Sequence, residues 1–238
     1  MHAFLLAAGR GTRISRDIPA IPKCTLDIGT GPLILHTIAL LQKNGIGVTV
    51  ITGYKHAYLE QLLQGLQVEI VYNPFYDVTN SIGSLWMARA QMQGDGPQII
   101  ANADVYWEQN ILDRLLQAED EAVMLSDRTR AETGDYFFRT ENGLIRAYGK
   151  ELARDERDCE YVGIARIKGE MNRWFLESLE ELVESQRHDL WWENALYEIS
   201  AQHPVRALDV EGAFWAEVDT ISDYTRILDY TRSGRAAK

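Results

Sequence analysis

The stretch LAAGRGTR occupies residues 6–13, at the end of a short apolar run (residues 3–7), and Pro22 and Lys23 follow it. Glycines in such a stretch let the backbone turn sharply and point its N–H groups at a phosphate chain, while small alanines leave space for a flat base. Glycines also make ordinary turns, so the prediction of a nucleotide-binding loop depends on the whole string. The predicted nucleotide-binding residues are Ala7, Ala8, Gly9, Gly11 and Thr12.

Two cations accompany this loop. Arg13 can form paired hydrogen bonds with phosphate oxygens, and Lys23 supplies a compact positive charge for a reacting phosphate. The loop, Arg13 and Lys23 together predict a phosphate-handling site at the end of the first strand of an α/β sheet.

Strand and helix signals alternate through the first half of the chain. Pro32 and Gly45 bracket one helical stretch, as helix boundaries prefer. Short apolar strands that alternate with helices indicate a parallel sheet covered on both faces. We predict an α/β fold with a Rossmann-like, doubly wound sheet, whose ligands bind beyond the carboxyl ends of the strands. The predicted strands are residues 3–7, 48–52, 68–72 and 99–101, and the predicted helices are residues 33–44, 57–64 and 84–91.

The pattern changes after residue 125, where shorter and partly antiparallel strands are predicted around a turn at Asn142 and Gly143. No repeat, low-complexity tract or linker interrupts the chain. We therefore predict one mixed-sheet domain over residues 1–238, with a nucleotide-binding half (1–125) and a smaller acceptor-binding β/α half (126–238). The predicted strands of the second half are residues 136–138, 144–148, 161–167, 207–210 and 215–218, and its helices are residues 170–185, 192–201 and a last one from residue 221.

The chain carries 24 Lys and Arg against 35 Asp and Glu, a net charge of −11. Nucleic acids and anionic membranes need a basic surface, so we expect neither as a partner. Cys24 and Cys159 form no CxxC pair or Cys/His cluster, and we expect reduced thiols in a cytoplasmic protein. No apolar run reaches transmembrane length, and the first residues indicate a buried strand rather than a signal peptide.

The string LAAGRGTR followed by PK resembles the signature of nucleotidyltransferases with a GT-A-like fold, which make nucleotide-activated sugars and alcohols. Within that family the chain is most similar to the phosphocholine-type cytidylyltransferases, which share an aromatic-aromatic-acid-Asn string such as the one at residues 191–194. Further similar segments lie at residues 53–54, 73–74, 80–85, 102–104, 149–150, 160–163 and 217–219.

Asp104 and Asp219 each follow a predicted strand, and the resemblance implies that they bind a metal ion. Mg²⁺ prefers hard oxygen ligands and takes one or two protein carboxylates together with substrate phosphates. We therefore expect Mg²⁺ as the cofactor. Helix capping is the alternative, above all for Asp219, which precedes the last predicted helix.

The reaction that the resemblance implies is attack by a phosphate oxygen on the α-phosphorus of a nucleoside triphosphate. Two anions must be brought together, so catalysis is chiefly alignment and charge neutralisation. Lys23 would stabilise the α-phosphoryl group, Arg13 would hold the departing pyrophosphate, and Lys150 would bind the acceptor phosphate. A surface lysine on a hairpin is the alternative for Lys150.

Asn80 and Ser84 lie in the segment with which the family binds the base and ribose. An asparagine amide offers both a donor and an acceptor, which suits the edge of a pyrimidine. Helix capping by Asn80 is an equal alternative.

Aromatic and acidic residues cluster in the predicted acceptor half: Glu160, Tyr161, Trp191, Trp192 and Glu193. Aromatic faces and carboxylates together attract a cation, above all an ammonium. We predict an acceptor site from Glu160, Tyr161, Trp192 and Glu193. Core tryptophans and solvated glutamates are the alternative.

These features predict a CTP-dependent cytidylyltransferase that acts on phosphocholine, an aminoalkyl phosphate or phosphonate, or another small polar phosphate. One rival is a sugar-1-phosphate nucleotidylyltransferase that uses UTP, dTTP or GTP. A glycosyltransferase would need a metal-binding DxD motif, where this chain has Asn102-Ala103-Asp104. A catalytically inactive nucleotide-binding regulator would not need all of the cations and carboxylates named above. The expected partners are the two substrates, and a homodimer is compatible with the sequence.

Overall fold

The computed structural model describes residues 1–11, 14 and 20–234. Its strands are β1 (His2–Ala7), β2 (Gly47–Thr52), β3 (Glu69–Tyr72), β4 (Gln98–Asn102), β5 (Val105–Tyr106), β6 (Ala122–Asp127), β7 (Phe137–Glu141), β8 (Leu144–Gly149), β9 (Cys159–Ile167), β10 (Arg206–Asp209) and β11 (Ala216–Glu217). Its α-helices are α1 (Leu33–Lys43), α2 (His56–Leu63), α3 (Ser81–Met87), α4 (Gln109–Gln117), α5 (Glu170–Glu184), α6 (Asn194–Ile199) and α7 (Ile221–Arg232).

Nine strands form one mixed sheet in the order β3-β2-β1-β4-β9-β6-β10-β8-β7. The first four are parallel to one another, and β9 is inserted antiparallel between β4 and β6. Beyond β6, β10 is parallel to β6, β8 is antiparallel to β10, and β7 is antiparallel to β8. The predicted mixed, doubly wound sheet is therefore confirmed, with its parallel part in the first half of the chain.

Alternate side chains of the strands enter two different cores, as the two-residue period of a strand requires. Leu5 and Val50 belong to the core that is completed by α1, α2 and α4. Phe4 and Ile51 belong to the core that is completed by α3, α5 and α6. Because helices cover both faces of the sheet, we expect ligands to bind at the edge where the strands end.

A second, two-stranded sheet pairs β11 with β5. Tyr106 and Val218 of this region pack with Ile227 of α7 in a third core. The Val218 N–H also donates to the Asp104 carbonyl oxygen at 2.8 Å. This small sheet therefore brings the residues after β11 beside those that precede β5.

Several elements differ from the sequence prediction. Helix α3 begins at Ser81 rather than residue 84, because the Asn80 side chain caps it, and its predicted last turn is a separate 3-10 helix, Arg89–Met92. Helix α4 and strands β5 and β6 were not predicted, although α4 buries Ile111, Leu112 and Leu115 at helical spacing. None of the helices in the described part of the chain is long and apolar enough to cross a membrane.

Candidate active site

A cavity of about 280 Å³ opens where β1 and β4 end, between the two halves of the sheet. Its wall comes from the loop after β1, the start of α3, the segment between β4 and β5, and the second half of the chain. The lining residues are Leu6, Ala8, Gly9, Tyr76, Thr79, Asn80, Ser81, Ser84, Asn102, Asp104, Asp135, Tyr136, Lys150, Glu160, Tyr161, Gly163, Trp191, Glu193, Tyr197, Glu217 and Asp219.

Close backbone approach shapes the end of the cavity beside β1. The Tyr54 N–H donates to the Ala8 carbonyl oxygen at 3.0 Å, and a Cβ on Gly53 would lie 2.7 Å from the Ala8 Cβ. Gly11 has φ +61°, and a Cβ there would lie 2.4 Å from Lys23 Cγ. Glycine at position 11 therefore allows the Lys23 side chain to lie directly against the loop.

Lys23 joins the two predicted metal-binding carboxylates. It lies in the 3-10 turn Lys23–Thr25, and its ammonium is 2.5 Å from Asp219 Oδ1 and 3.8 Å from Asp104 Oδ2. The two aspartates are 115 positions apart in the chain, and the β5–β11 pairing brings them together. One buried cation and two carboxylates thus form a compact charged group at the strand ends.

Helix capping does not account for Asp219. The cap of α7 is Thr220, whose side chain accepts from the Asp223 N–H while the Asp223 carboxylate accepts from the Thr220 N–H. Asp219 is left facing the cavity with Asp104. Two carboxylates fit a Mg²⁺ ion that takes its other ligands from phosphates and water. No group of three or more His, Cys, Asp or Glu side chains suited to a metal occurs among the described residues.

Asn80 caps helix α3, as one of its two predicted roles requires, and base binding stays a prediction. Its Oδ1 accepts from the Ser81 N–H at 2.9 Å as the cap of α3, and its Nδ2 donates to the Asp189 carbonyl oxygen at 3.2 Å. Asn80 also lines the cavity, as does Ser84, whose Oγ accepts from Asn73 Nδ2 at 3.0 Å. The start of α3 is therefore held in place by its own cap and by the segment before α6.

The second predicted catalytic lysine, Lys150, lines the main cavity. Lys150 Nζ donates to Asp135 Oδ2 at 2.6 Å and lies 5.5 Å from the centre of the Trp191 ring. Tyr136 packs edge-on against Trp191, with ring centres 5.7 Å apart, and stacks on Tyr197 at 6.1 Å. An aromatic wall therefore continues from the lysine into the cavity.

Glu193 is the acidic group beside this wall. It is buried, and burial raises its pKa to about 7; the neighbouring Asp104 acts in the same direction, while Asn102 and the Tyr161 hydroxyl oppose the shift. Glu217 lines the same cavity and is exposed to water there. Desolvation by the surrounding protein atoms raises the pKa of Glu217, and Asp104 adds to that rise while Lys23 opposes it.

Trp192 and Glu160, which were predicted to contact the acceptor, make other contacts in the structure. Trp192 is 0% exposed and does not line the cavity; it packs in the core, where its indole N–H donates to Asn102 Oδ1 at 3.1 Å. The neighbouring Trp191 takes the exposed position. Glu160 does line the cavity, but both of its carboxylate oxygens already accept hydrogen bonds, from Arg130 Nε and from the Asp135 N–H.

The structure brings most of the predicted site residues to one place. Thr12 and Arg13 lie outside the described residues. The smaller adjoining pocket, of about 110 Å³, is lined by Ala7, Gly11 and Lys23. Ten further predicted residues line the main cavity: Ala8, Gly9, Asn80, Ser84, Asp104, Lys150, Glu160, Tyr161, Glu193 and Asp219.

Several lining residues were not predicted, among them Asp135, Tyr136 and Tyr197. Tyr197 follows Glu193 by four positions, so helical spacing could have placed both on one face of α6. Asp135 and Tyr136 reach the cavity because β7 pairs with β8 and with β9, a long-range arrangement with no local signal.

A family model for the MobA-like NTP transferase domain matches residues 3–216, and the chain belongs to that family. It is 25% identical to the CTP:phosphoglutamine cytidylyltransferase of Campylobacter jejuni, over 94% of this chain and 97% of that one. It is 24% identical to the choline-phosphate cytidylyltransferase of Streptococcus pneumoniae, over 95% of this chain and 96% of that one.

The fold has close counterparts among solved structures. The CTP:phosphocholine cytidylyltransferase of Streptococcus pneumoniae superimposes with a TM-score of 0.79 at 20% identity, covering 97% of this chain and 98% of that one. The predicted GT-A-like nucleotidyltransferase fold and the resemblance to cytidylyltransferases are confirmed. The protein is a nucleotidyltransferase.

Proposed function

We propose that the enzyme transfers CMP from CTP to a small phosphorylated acceptor that carries a positive charge, and releases pyrophosphate. Phosphocholine and aminoalkyl phosphates or phosphonates are acceptors of this kind. The observation that carries the proposal is a main cavity and an adjoining smaller pocket that each hold one lysine: Lys23 lies between two carboxylates in the pocket, and Lys150 lies beside an aromatic wall in the cavity. Both curated relatives named above are cytidylyltransferases, which supports CTP as the nucleotide.

The two ends of the cavity suit the two substrates. We assign the nucleotide to the end formed by the loop after β1 and by α3, within residues 1–125, and the acceptor to residues 126–238. Ala8 and Gly9 leave space beside the backbone, and Asn80 and Ser84 offer polar groups for the base and ribose. Thr12 and Arg13 are assigned to the phosphates from the motif alone. Asp219 is the exception to this division, since it acts at the nucleotide end.

Asp104 and Asp219 are the residues that would hold Mg²⁺. When bound there, the ion would neutralise charge on the triphosphate. Lys23, within reach of both aspartates, is placed to contact the α-phosphate from the protein side.

The chemistry is a direct displacement. An oxygen of the acceptor phosphate attacks the α-phosphorus of CTP, the bond from the α-phosphorus to the bridging oxygen breaks, and pyrophosphate leaves with that oxygen. Lys150 holds the attacking phosphate and Lys23 stabilises the charge at the α-phosphoryl group. Catalysis comes chiefly from aligning the two anions and neutralising their charge, and no covalent intermediate is needed.

The far wall would hold the rest of the acceptor. Trp191 and Tyr136 present aromatic faces and Glu193 presents a carboxylate, and such a set attracts an ammonium group. The Glu160 carboxylate is already paired, so we assign no direct contact with the acceptor to it.

A pyrophosphate-release screen tests the proposal. CTP, UTP, dTTP and GTP are each combined with phosphocholine, 2-aminoethyl phosphate, 3-aminopropylphosphonate, phosphoglutamine and glucose 1-phosphate, with and without Mg²⁺. We expect release with CTP, Mg²⁺ and an acceptor that bears an amine or ammonium. Turnover only with glucose 1-phosphate and another nucleotide would support the sugar-nucleotide alternative, and no turnover with any pair would support an inactive nucleotide-binding protein.

A further inference from the structure

The segment 130–135, which we call the 130–135 turn, encloses the buried carboxylate of Glu160. Glu160 is 5% exposed. Its Oε1 accepts from the Asp135 N–H at 2.7 Å, and its Oε2 accepts from Arg130 Nε. One carboxylate therefore joins both ends of this turn.

The 130–135 turn packs tightly against the Glu160 side chain. The Gly134 N–H donates to the Arg130 carbonyl oxygen at 2.9 Å, which closes the turn on itself. A Cβ on Gly134 would lie 2.4 Å from Glu160 Cδ, a distance that real side chains do not adopt. The backbone at Gly134 thus lies directly against the carboxylate, so a movement of Glu160 would move the turn.

The turn ends at the residue that holds the acceptor-side lysine. Glu160 fixes the backbone of Asp135, and the Asp135 carboxylate accepts from Lys150 Nζ at 2.6 Å. The side chains of Lys150 and Asp135 are both exposed enough to adopt other conformations, at 33% and 65%. Their geometry therefore depends on the fixed backbone beneath them.

The other end of the turn packs beside the strand that leads to Asp219. The Arg130 guanidinium lies 5.4 Å from the centre of the Trp215 ring, and Trp215 Nε1 donates to Asp127 Oδ2 at 2.8 Å. Trp215 directly precedes β11, the strand that leads to Asp219. The 130–135 turn thus runs from a contact beside β11 to the residue that pairs with Lys150.

We infer that Glu160 is a positioning residue: together with Arg130 it fixes the 130–135 turn, so that Asp135 holds the Lys150 ammonium at the acceptor end. Glu160 itself does not touch the substrate. This inference rests on the proposed function in one respect, that Lys150 binds the acceptor phosphate. It replaces the predicted role of Glu160 as a direct ligand of the acceptor.

The first test is the variant Glu160→Gln, which keeps the size of the side chain and removes its charge. With CTP and phosphocholine as substrates, we expect the KM for phosphocholine to rise about three- to tenfold, while the KM for CTP changes less than twofold. Glu141→Gln is the matched control, since Glu141 pairs with Arg146 on an exposed hairpin and should leave all constants unchanged. An equal rise in both KM values would indicate general disruption and overturn the inference.

A double-mutant cycle with Lys150→Ala separates the inference from the proposed function. If Glu160 acts through Lys150, then Glu160→Gln should have little further effect on the phosphocholine KM once Lys150 is alanine. Fully additive effects would overturn the positioning role and leave the proposed function standing. If Lys150→Ala alone leaves the KM for phosphocholine unchanged, the proposed role of Lys150 fails, and the inference fails with it.

An NMR measurement tests the same inference without depending on turnover. Reductive ¹³C-methylation of the lysines gives an NMR signal for Lys150, assigned with Lys150→Arg. We expect this signal to shift in Glu160→Gln and in Asp135→Asn, and to stay in place in Glu141→Gln. An unchanged Lys150 signal in Glu160→Gln would show that Glu160 does not position the lysine.

Discussion

The two ends of the site, the smaller pocket and the aromatic part of the main cavity, each hold one lysine, in contrasting surroundings. The Lys23 side chain is 10% exposed and lies within 4 Å of two carboxylates that are themselves largely covered, Asp104 and Asp219. The Lys150 side chain is 33% exposed and pairs with Asp135, which is 65% exposed.

This contrast in exposure indicates different roles for the two lysines. Charges that are shielded from water interact strongly, whereas exposed pairs are screened by water and salt and contribute at most about 1 kcal/mol. The enclosed Lys23 group suits a step at which charge develops in the transition state. The open Lys150 group suits binding and release of the acceptor. Mutations at the two ends should therefore change different kinetic constants.

The largest effect is expected at the enclosed carboxylates. Asp104→Ala and Asp219→Ala should each lower kcat at least about a hundredfold, because each removes part of the group that would hold Mg²⁺. Steady-state rates at saturating Mg²⁺ measure this. Asp223→Ala is the control, since it removes a partner in the cap of α7 near Asp219 and should cost about 1 kcal/mol of stability with little loss of rate. A near-normal rate in either alanine variant would exclude that aspartate from the site.

The two lysines offer the direct comparison. Lys23→Ala should lower kcat by about thirtyfold or more with a small change in the KM for CTP, because its contact strengthens in the transition state. Lys150→Ala should instead raise the KM for the acceptor, since that contact is equal in the ground state and the transition state. Initial rates that vary one substrate at a time distinguish these patterns. The opposite result would exchange the roles of the two lysines.

The nucleotide end was more predictable from the sequence than the acceptor end, for a physical reason. The loop after β1 has its glycines, Ala8 and the nearby Lys23 within a short stretch of chain, and the end of a parallel strand fixes where they lie. The acceptor end is assembled from β7, β8 and the segment before α6, which are distant in sequence. A local pattern therefore identified an aromatic pair there but not which member faces the cavity.

Trp191 and Trp192 illustrate that limit. Both precede α6, and the sequence offers no periodicity by which to separate them. The structure buries Trp192 against Asn102 and leaves Trp191 at the cavity, 40% exposed. Glu160 shows the same limit for charge, because its partner Arg130 is 30 positions away.

The acceptor end should distinguish a cation from its neutral isostere. Phosphocholine should be used with a kcat/KM about tenfold higher than 3,3-dimethylbutyl phosphate, since an aromatic face contributes about 0.5–2 kcal/mol toward an ammonium and about 1.4 kcal/mol is a factor of ten. Glu193→Gln should reduce this preference and leave the KM for CTP unchanged. Equal use of the two compounds would contradict a cationic pocket and leave the nucleotidyltransferase activity intact.

The smallest effect expected is a pH dependence of that same preference. Burial raises the pKa of Glu193 to about 7, so its carboxyl is mainly neutral at pH 6 and mainly charged at pH 8. The trimethylammonium of phosphocholine carries its charge at every pH, but it also lowers the second pKa of its own phosphate, so the two compounds differ in phosphate ionisation near pH 6. The Glu193→Gln variant, measured with the same two compounds, corrects for that difference. In the native enzyme the ratio of the two kcat/KM values should rise about three- to fivefold more from pH 6 to pH 8 than it does in Glu193→Gln. An equal change in the two enzymes would assign the titration to another group.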